Sequence, residues 1–244
     1  MKRIVIMGAT SGIGLETAKR CIAAGWHVGA AGRRTDALEQ LRELAPEQVV
    51  TEPADVTEEN APSALDRLIE KLGGMDIYLH VSGIGSQNPQ LDPQIELRTV
   101  RTNVEGFTRM VTAAYGYFAR HGGGHLAVIS SIAGTRGLGT AAVYSASKRF
   151  QNIYIDSLDQ LARMENLNIR FTDIRPGFVA TPLLKEGKHY PMLMQPEKVA
   201  ASVFRALERR KRRVVIDRRF ALLVFFWRLI PQRLWERLPI RTKA

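Results

Sequence analysis

The chain has 244 residues, 45% hydrophobic and 24% charged, with a single cysteine and a formal net charge of +11. This length and composition suit one α/β domain with a sizeable core, and they exclude a disordered chain, an internal disulfide and a disulfide-stapled miniature fold. No run approaches the ~20 apolar residues that span a bilayer, and the opening residues enter a strand pattern directly, so a cytoplasmic protein without a signal peptide is expected.

Strand and helix signals alternate along the chain. Residues 4–7 form a short apolar run fit for a buried strand. A glycine-rich turn follows, Gly8-Ala-Thr-Ser-Gly12-Ile-Gly14, and residues 15–24 have helical character. Further strands are expected at 27–31, 48–52, 77–81, 126–130, 169–174 and 214–216. Helices are expected at 35–44, 61–72, 97–121 and 143–164. Another is expected from Pro196 towards Arg210, with proline placed near a helix start. Such alternation predicts a doubly wound parallel sheet of about seven strands, a Rossmann arrangement with helices on both faces. Sites in such sheets lie beyond the carboxyl ends of the strands, where Asp55, Gly83, Ser131 and Gly177 all fall.

Two motifs carry chemistry. In the first turn, Gly8 permits a tight bend, Gly12 lets backbone approach a pyrophosphate, and Gly14 allows close packing of helix on strand. In the second, Tyr144 and Lys148 stand four residues apart in Tyr-Ser-Ala-Ser-Lys and share one helix face. A neighbouring ammonium favours phenolate, so the tyrosine is expected to titrate nearer working pH and to exchange a proton with an alcohol or alkoxide. Ser131 lies thirteen residues before Tyr144, and Ser130 is its rival. The histidines His80, His121, His125 and His189 show no metal-ligand spacing, so no metal site is expected. Cys21, beside Ile22 on the first helix, reads as core packing.

With these motifs in order, residues 2–216 resemble the short-chain dehydrogenase/reductase family. The resemblance implies that Ser131, Tyr144, Lys148 and Asn103 form the catalytic set of an NAD(P)-dependent oxidoreductase. Tyr144 would protonate the oxygen of a ketone receiving hydride, and Ser131 would hold that oxygen. Lys148 would tune Tyr144 and hold the nicotinamide ribose. Asn103 would anchor a water that passes protons to Lys148, its alternative being a buried asparagine that caps neighbouring backbone. The implied cofactor site contains Gly8, Thr10, Ser11, Gly12, Ile13 and Gly14 at the first turn. It continues through Gly32, Arg33 and Arg34, Asp55 and Val56, Ser82 and Gly83, then Tyr144 and Lys148, and ends at Pro176, Gly177, Val179 and Thr181. Two positions depart from the family pattern. Met7 stands where threonine is usual, and His80-Val81-Ser82-Gly83 replaces Asn-Asn-Ala-Gly. At Gly32 the acidic residue that selects NAD is missing, and Arg33 or Arg34 would suit the 2′-phosphate of NADP. NADP(H) is therefore the expected cofactor, with NAD(H) the second choice.

The charge is uneven. Residues 1–204 carry 22 Lys/Arg and 21 Asp/Glu, whereas residues 205–244 carry 13 and 3. The basicity belongs to the end of the chain, and residues 217–244 read as an extension of the 1–216 catalytic domain rather than an independent domain. The run from Arg209 to Arg213 precedes the last strand, and the apolar Phe220-Ala-Leu-Leu-Val-Phe-Phe-Trp227 follows it. Three uses compete for this tail. Arginines flanking aromatic residues suit the interface of an anionic membrane, through residues 209–240. The apolar run could instead pack on the body or on a second subunit. Nucleic-acid binding is the least favoured, since no recognition module accompanies the charge. Membrane contact would favour a lipophilic ketone, a long-chain 3-keto lipid or a steroid, and residues 181–195 would form an apolar lid over it. Oxidation of a hydroxysteroid or polyol, and a dinucleotide-binding sensor or scaffold, are the alternative functions. A dimer or tetramer is expected from the resemblance.

Overall fold

The structure, a computed structural model, describes residues 1–184 and 190–240. Strand β1 (Arg3–Met7) lies at the centre of the sheet, and its sequence explains why. Ile4 and Ile6 join the core on one face, Val5 and Met7 the core on the other, and all four are fully buried. A strand covered on both faces needs apolar residues at both phases of its period of two.

The remaining strands are β2 (His27–Gly32), β3 (Val49–Pro53), β4 (Ile77–His80), β5 (Gly124–Ile129), β6 (Ile169–Pro176) and β7 (Arg213–Ile216). All pairings are parallel, in the order β3-β2-β1-β4-β5-β6-β7. The order reverses between β1 and β4, which opens a crevice at their carboxyl ends. Each strand expected from the sequence is present, and most shift only at their ends.

Between the strands run α1 (Gly12–Ala23), α2 (Thr35–Glu43), α3 (Ala61–Leu72), α4 (Pro93–Val100), α5 (Phe107–Arg120), α6 (Ala142–Met164) and α7 (Pro196–Glu208). The core containing Ile4 and Ile6 is covered by α1, α2 and α7, and the core containing Val5 and Met7 by α3, α5 and α6. Cys21 is buried in the first, where loss of solvent pushes its thiol up to about 12, so it is packing rather than a reactive group.

One expected helix differs. Residues 97–121 are not a single α-helix. Pro93 opens α4 after Asp92, whose carboxylate accepts from the amide of Gln94 at 2.9 Å. The chain then turns as a π-helix over Arg101–Gly106 before α5 begins. The wide turn holds Thr102, Asn103, Val104 and Gly106, which are poor α-helix formers.

The tail folds as α8 (Arg218–Leu229) and α9 (Gln232–Trp235). Part of the basic run before β7 is already paired with α6. Arg212 pairs with Asp156 and Asp159 on α6, and Arg213 pairs with Asp156. These arginines enter β7 at its start, whereas α8 leaves from its end. Four residues of strand, roughly 13 Å, lie between.

Candidate active site

The glycine turn is shaped by contact. Gly8 adopts φ +102°, and a Cβ there would meet the amide nitrogen of Ser82 at 2.7 Å. Gly14 packs directly on the carbonyl of Gly8, with no room for a side chain. Ser11 sits at the N-cap of α1 without a side-chain cap, and the first helical bond is from Leu15 to the Ser11 carbonyl at 3.3 Å. The amides of Gly12, Ile13 and Gly14 therefore lack helical partners, and the first turn carries no acid. Such a helix start fits a pyrophosphate. Thr181, arriving from beyond β6, covers the turn: its Cγ2 would lie 2.8 Å from a Cβ on Gly12.

Beside the turn, Thr10 packs on Gly32, where an added Cβ would lie 2.7 Å from the threonine Cγ2. An acidic side chain does not fit that position without displacing Thr10. Arg34 donates to the carbonyl of Thr10 at 2.7 Å and to its hydroxyl at 3.2 Å. Arg33 leans towards Asp55, with 3.7 Å between charged atoms. Asp55 itself makes a local turn, accepting from the amide and hydroxyl of Thr57 at 3.0 and 2.8 Å. Val56 is buried in the core under Gly106, and its carbonyl accepts from Arg109 at 2.8 Å.

Ser131 follows β5 in extended backbone, and its Oγ accepts from the amide of Ala133 at 3.1 Å. Tyr144 and Lys148 lie on the first turns of α6. The neighbouring Ser131 hydroxyl favours the Tyr144 phenolate, but burial acts more strongly and pushes the phenol up. The expected fall of Tyr144 towards working pH is thus reversed in this structure. The Lys148 ammonium lies 5.9 Å from the tyrosine ring centre and is engaged elsewhere, with the carbonyl of Ile129 at 3.2 Å and Oε1 of Gln151 at 3.0 Å. Burial lowers Lys148 to about 8, against the opposing pull of Asp173.

Asn103 lies in the π-helical segment and is fully buried. Its Oδ1 accepts from the amide of Ile84 at 2.8 Å. Its Nδ2 donates to the carbonyl of Ile84 at 2.7 Å and to Ser147 at 3.1 Å. These bonds pin the chain after β4, where His80 and Val81 replace the family's amides. His80 faces the α5 and α6 layer, joined through Nδ1 to the Tyr78 hydroxyl at 3.0 Å. Burial, with the nearby charge of Lys148, lowers it to about 3, so it is neutral. Among the described residues no cluster of His, Cys, Asp or Glu could hold a metal, and His189 lies outside them.

Beyond β6, Pro176 accepts from Ser131 at 3.5 Å, and Gly177 donates to Ile216 at 3.3 Å. The foot of the expected lid is stapled to the sheet end: Ala180 donates to Met194 at 2.9 Å, and Met194 to Phe178 at 3.0 Å. Val179 and Met194 are buried there. Residues 185–189 of the lid lie outside the described residues.

The sequence reading missed four contributors. Gly85 makes room for the Tyr144 ring, whose Cε2 would lie 2.6 Å from a Cβ there. Gln151 holds Lys148. Phe220 of α8 fills the space over Gly177. Arg136, between Ser131 and Tyr144, gathers the end of α8: it donates to the carbonyls of Trp227, Arg228 and Ile230 at 3.1, 3.1 and 2.6 Å, and to Gln232 at 2.8 Å. Trp235 answers by donating to the carbonyl of Gly137 at 2.7 Å. The glycine at position 85 and the lone arginine in a glycine-rich stretch were visible signals, but neither has a spacing that marks it.

A doubly wound sheet, a helix start open to phosphate and a serine, tyrosine and lysine gathered at the strand ends define a dinucleotide-dependent oxidoreductase. Residues 2–190 match the family model of the short chain dehydrogenases, and the chain belongs to that family of NAD(P)-dependent enzymes. It is 30% identical over 259 aligned residues to dehydrogenase/reductase SDR family member 7B of Bos taurus, with 96% of this chain and 79% of that protein covered. An uncharacterized oxidoreductase of Myxococcus xanthus is 34% identical over 194 residues, with 77% and 76% covered. Among solved structures, a short-chain type dehydrogenase/reductase from Mycobacterium ulcerans superposes with a TM-score of 0.78 at 24% identity, covering 88% of each chain. ElxO with NADP bound superposes with a TM-score of 0.77 at 19% identity, covering 88% of this chain and 97% of that one. At these identities the likeness to the solved structures is one of fold.

Proposed function

We propose that the chain reduces a lipophilic ketone to a secondary alcohol with NADPH. The observation that carries this reading is the meeting of Ser131, Tyr144 and Lys148 beside the open start of α1. Bound NADPH supplies the hydride. The amides of Gly12, Ile13 and Gly14 would hold its pyrophosphate, and Arg33 and Arg34, beside a Gly32 that carries no acid, would take its 2′-phosphate. Tyr144, kept protonated by burial, is suited to donate: its proton passes to the carbonyl oxygen as negative charge develops there. Ser131 donates a hydrogen bond to the same oxygen. Lys148, with two of its three N–H groups engaged by Ile129 and Gln151, keeps the third, which would serve the nicotinamide ribose.

The lipophilic part of the reading rests on α8. Phe220 and Val224 are buried, but Leu222, Phe225, Phe226 and Leu229, at positions i, i+3, i+4 and i+7, form an outward stripe, each more than half exposed. Arg218, Arg219, Arg228 and Arg233 flank it. An apolar stripe framed by arginines suits the interface of an anionic membrane. No described helix is long and apolar enough to cross one, so the contact is peripheral. Within residues 209–240 the reading leans on 218–240, because Arg212 and Arg213 already pair with α6. We read residues 1–216 as the catalytic domain and 217–244 as its extension, of which the described part, to residue 240, packs on it. The outward apolar residues of α6, Ile153 and Leu161, are the surface through which a dimer or tetramer would form.

NADPH consumption across ketones of increasing chain length tests the chemistry. Turnover is expected to rise with chain length and to vanish in Tyr144→Phe. Equal turnover of short polar ketones overturns the lipophilic assignment. Co-sedimentation with vesicles containing phosphatidylserine tests the membrane contact. Deleting the tail would also empty the site of Phe220, so the cleaner variant changes Leu222, Phe225, Phe226 and Leu229 to serine. Undiminished sedimentation of that variant defeats the membrane assignment.

A further inference from the structure

We propose that Gln151 is a positioning residue of this active site, a strut whose side-chain amide ties the Lys148 ammonium to the main chain of the π-helical segment. Gln151 follows Lys148 by three residues on α6 and shares its face. It is only 1% exposed. Its Oε1 accepts from Lys148 at 3.0 Å, and its Nε2 donates to the main-chain carbonyl of Asn103 at 3.0 Å.

The chemistry of the two ends fixes the choice of side chain. An ammonium only donates, and a carbonyl only accepts. One group must therefore offer an acceptor to the first and a donor to the second, and a carboxamide does both. Glutamate lacks the donor, leucine lacks both, and asparagine is one methylene shorter. The carbonyl of Asn103 lies within the π-turn, a helix form often found at functional sites.

Lys148 is faced from several sides. Tyr144 lies on its own helix, His80 on β4, and Asp173 on β6. Burial disfavours its charge, Asp173 favours it, and His80 is neutral. Gln151 adds an acceptor that the charged form alone uses fully. Removing that acceptor makes the ammonium easier to deprotonate, and a carboxylate in its place makes it harder.

This inference rests on the reading that Lys148 serves the bound dinucleotide, so its test reads binding as well as turnover. NADPH affinity of the full chain is followed by the fluorescence of bound nucleotide from about pH 6 to about pH 10, either side of the Lys148 value of about 8. In the wild type, affinity is expected to fall as Lys148 loses its proton. In Q151L that fall is expected about one pH unit lower, which makes binding roughly tenfold weaker between the two limbs. In the isosteric Q151E it is expected to move to higher pH. A limb left in place in both variants, or affinity lost equally at every pH together with a lower melting temperature, marks Gln151 as packing alone and overturns the proposal. A wild type that shows the binding profile but reduces no ketone would defeat the reductase reading and leave the strut standing.

Discussion

Helices α6 and α8 both invert the usual division of inside and outside, in opposite directions. On its inner face α6 buries Ser145, Ser147, Lys148, Gln151 and Asn152, while α8 turns Leu222, Phe225, Phe226 and Leu229 outward. The difference lies in who supplies the partners. On α6 the chain itself does. Ser145 donates to the carbonyl of Ala142, Ser147 to that of Tyr144, and Lys148 to Ile129 and Gln151. Asn152 donates to Ser130 and Asp173. On α8 no described residue covers the stripe. A buried polar group is tolerated only when paired, and a large exposed apolar patch calls for a partner from outside. One inversion is closed by the protein except at Asn152 Oδ1, which is buried without a partner, and the other is left open.

Experiments can break this contrast at several points. The largest effect is expected for Tyr144→Phe, which removes the acid at the top of the α6 face. Turnover should fall by about 10²–10⁴ while NADPH affinity is kept, read by nucleotide consumption and binding. Asp173→Ala tests whether the buried polar face is a connected unit. Arg175 pairs with Asp173 at 2.5 Å with almost no exposure, and Ser130 and Asn152 also bond to it. Leaving that arginine unpaired should cost about 3–5 kcal/mol in urea unfolding. A smaller loss would show that water replaces the carboxylate.

The two sides of α8 can be compared within one helix. Phe220→Ala should destabilise by about 3–5 kcal/mol, since the ring is fully buried over Gly177. Phe225→Ser, on the outward side, should change stability by no more than ~0.5 kcal/mol. Similar losses in both would mean that the stripe is packed after all. Away from both helices, Arg34→Ala should weaken NADPH by about tenfold and spare NADH, the scale of one charge-assisted hydrogen bond. Equal weakening of both would place the arginine at the turn only, where it already bonds Thr10.

The last expected effect concerns acid. Burial holds His80 at about 3 and His125 at about 4, below the ordinary value of 6.5. Between these values and the ordinary one, the unfolded chain binds more protons than the folded protein. The stability they contribute is complete above the ordinary value and falls as pH drops below it, by up to about 1.4 kcal/mol per pH unit for each histidine. Urea midpoints at neutral and mildly acid pH measure the slope, and His80→Asn should flatten it. An unchanged slope would mean that His80 is protonated in the fold.

The strands were legible because a parallel sheet demands continuous apolar runs, and 4–7, 77–79 and 126–129 are such runs. Ser131, Tyr144 and Lys148 were legible because a strand end and a single helix face impose their spacing. Other features depend on relations that spacing does not carry. A glutamine three residues after a lysine is ordinary on any solvated helix. It becomes a strut only because the π-turn, 48 residues earlier, presents a carbonyl to it. The upward shift of Tyr144 needed the actual burial of the ring against Gly85. The tail looked apolar all round, so its sequence could not say which residues face inward. Packing of Phe220 on Gly177 decided that.

Arg136 decides what could be transplanted from this chain. A single guanidinium receives the carbonyls that end α8, and Trp235 returns a bond to the residue beside it. The tail and the stretch between Ser131 and Tyr144 are therefore not separable modules. Grafting residues 217–240 onto another member of the family would transfer the aromatic stripe without the seat that orients it, unless Arg136 and Gly137 were moved as well. The two segments are about ninety residues apart in the chain, yet they share one joint, and any lineage that redesigns one must redesign the other.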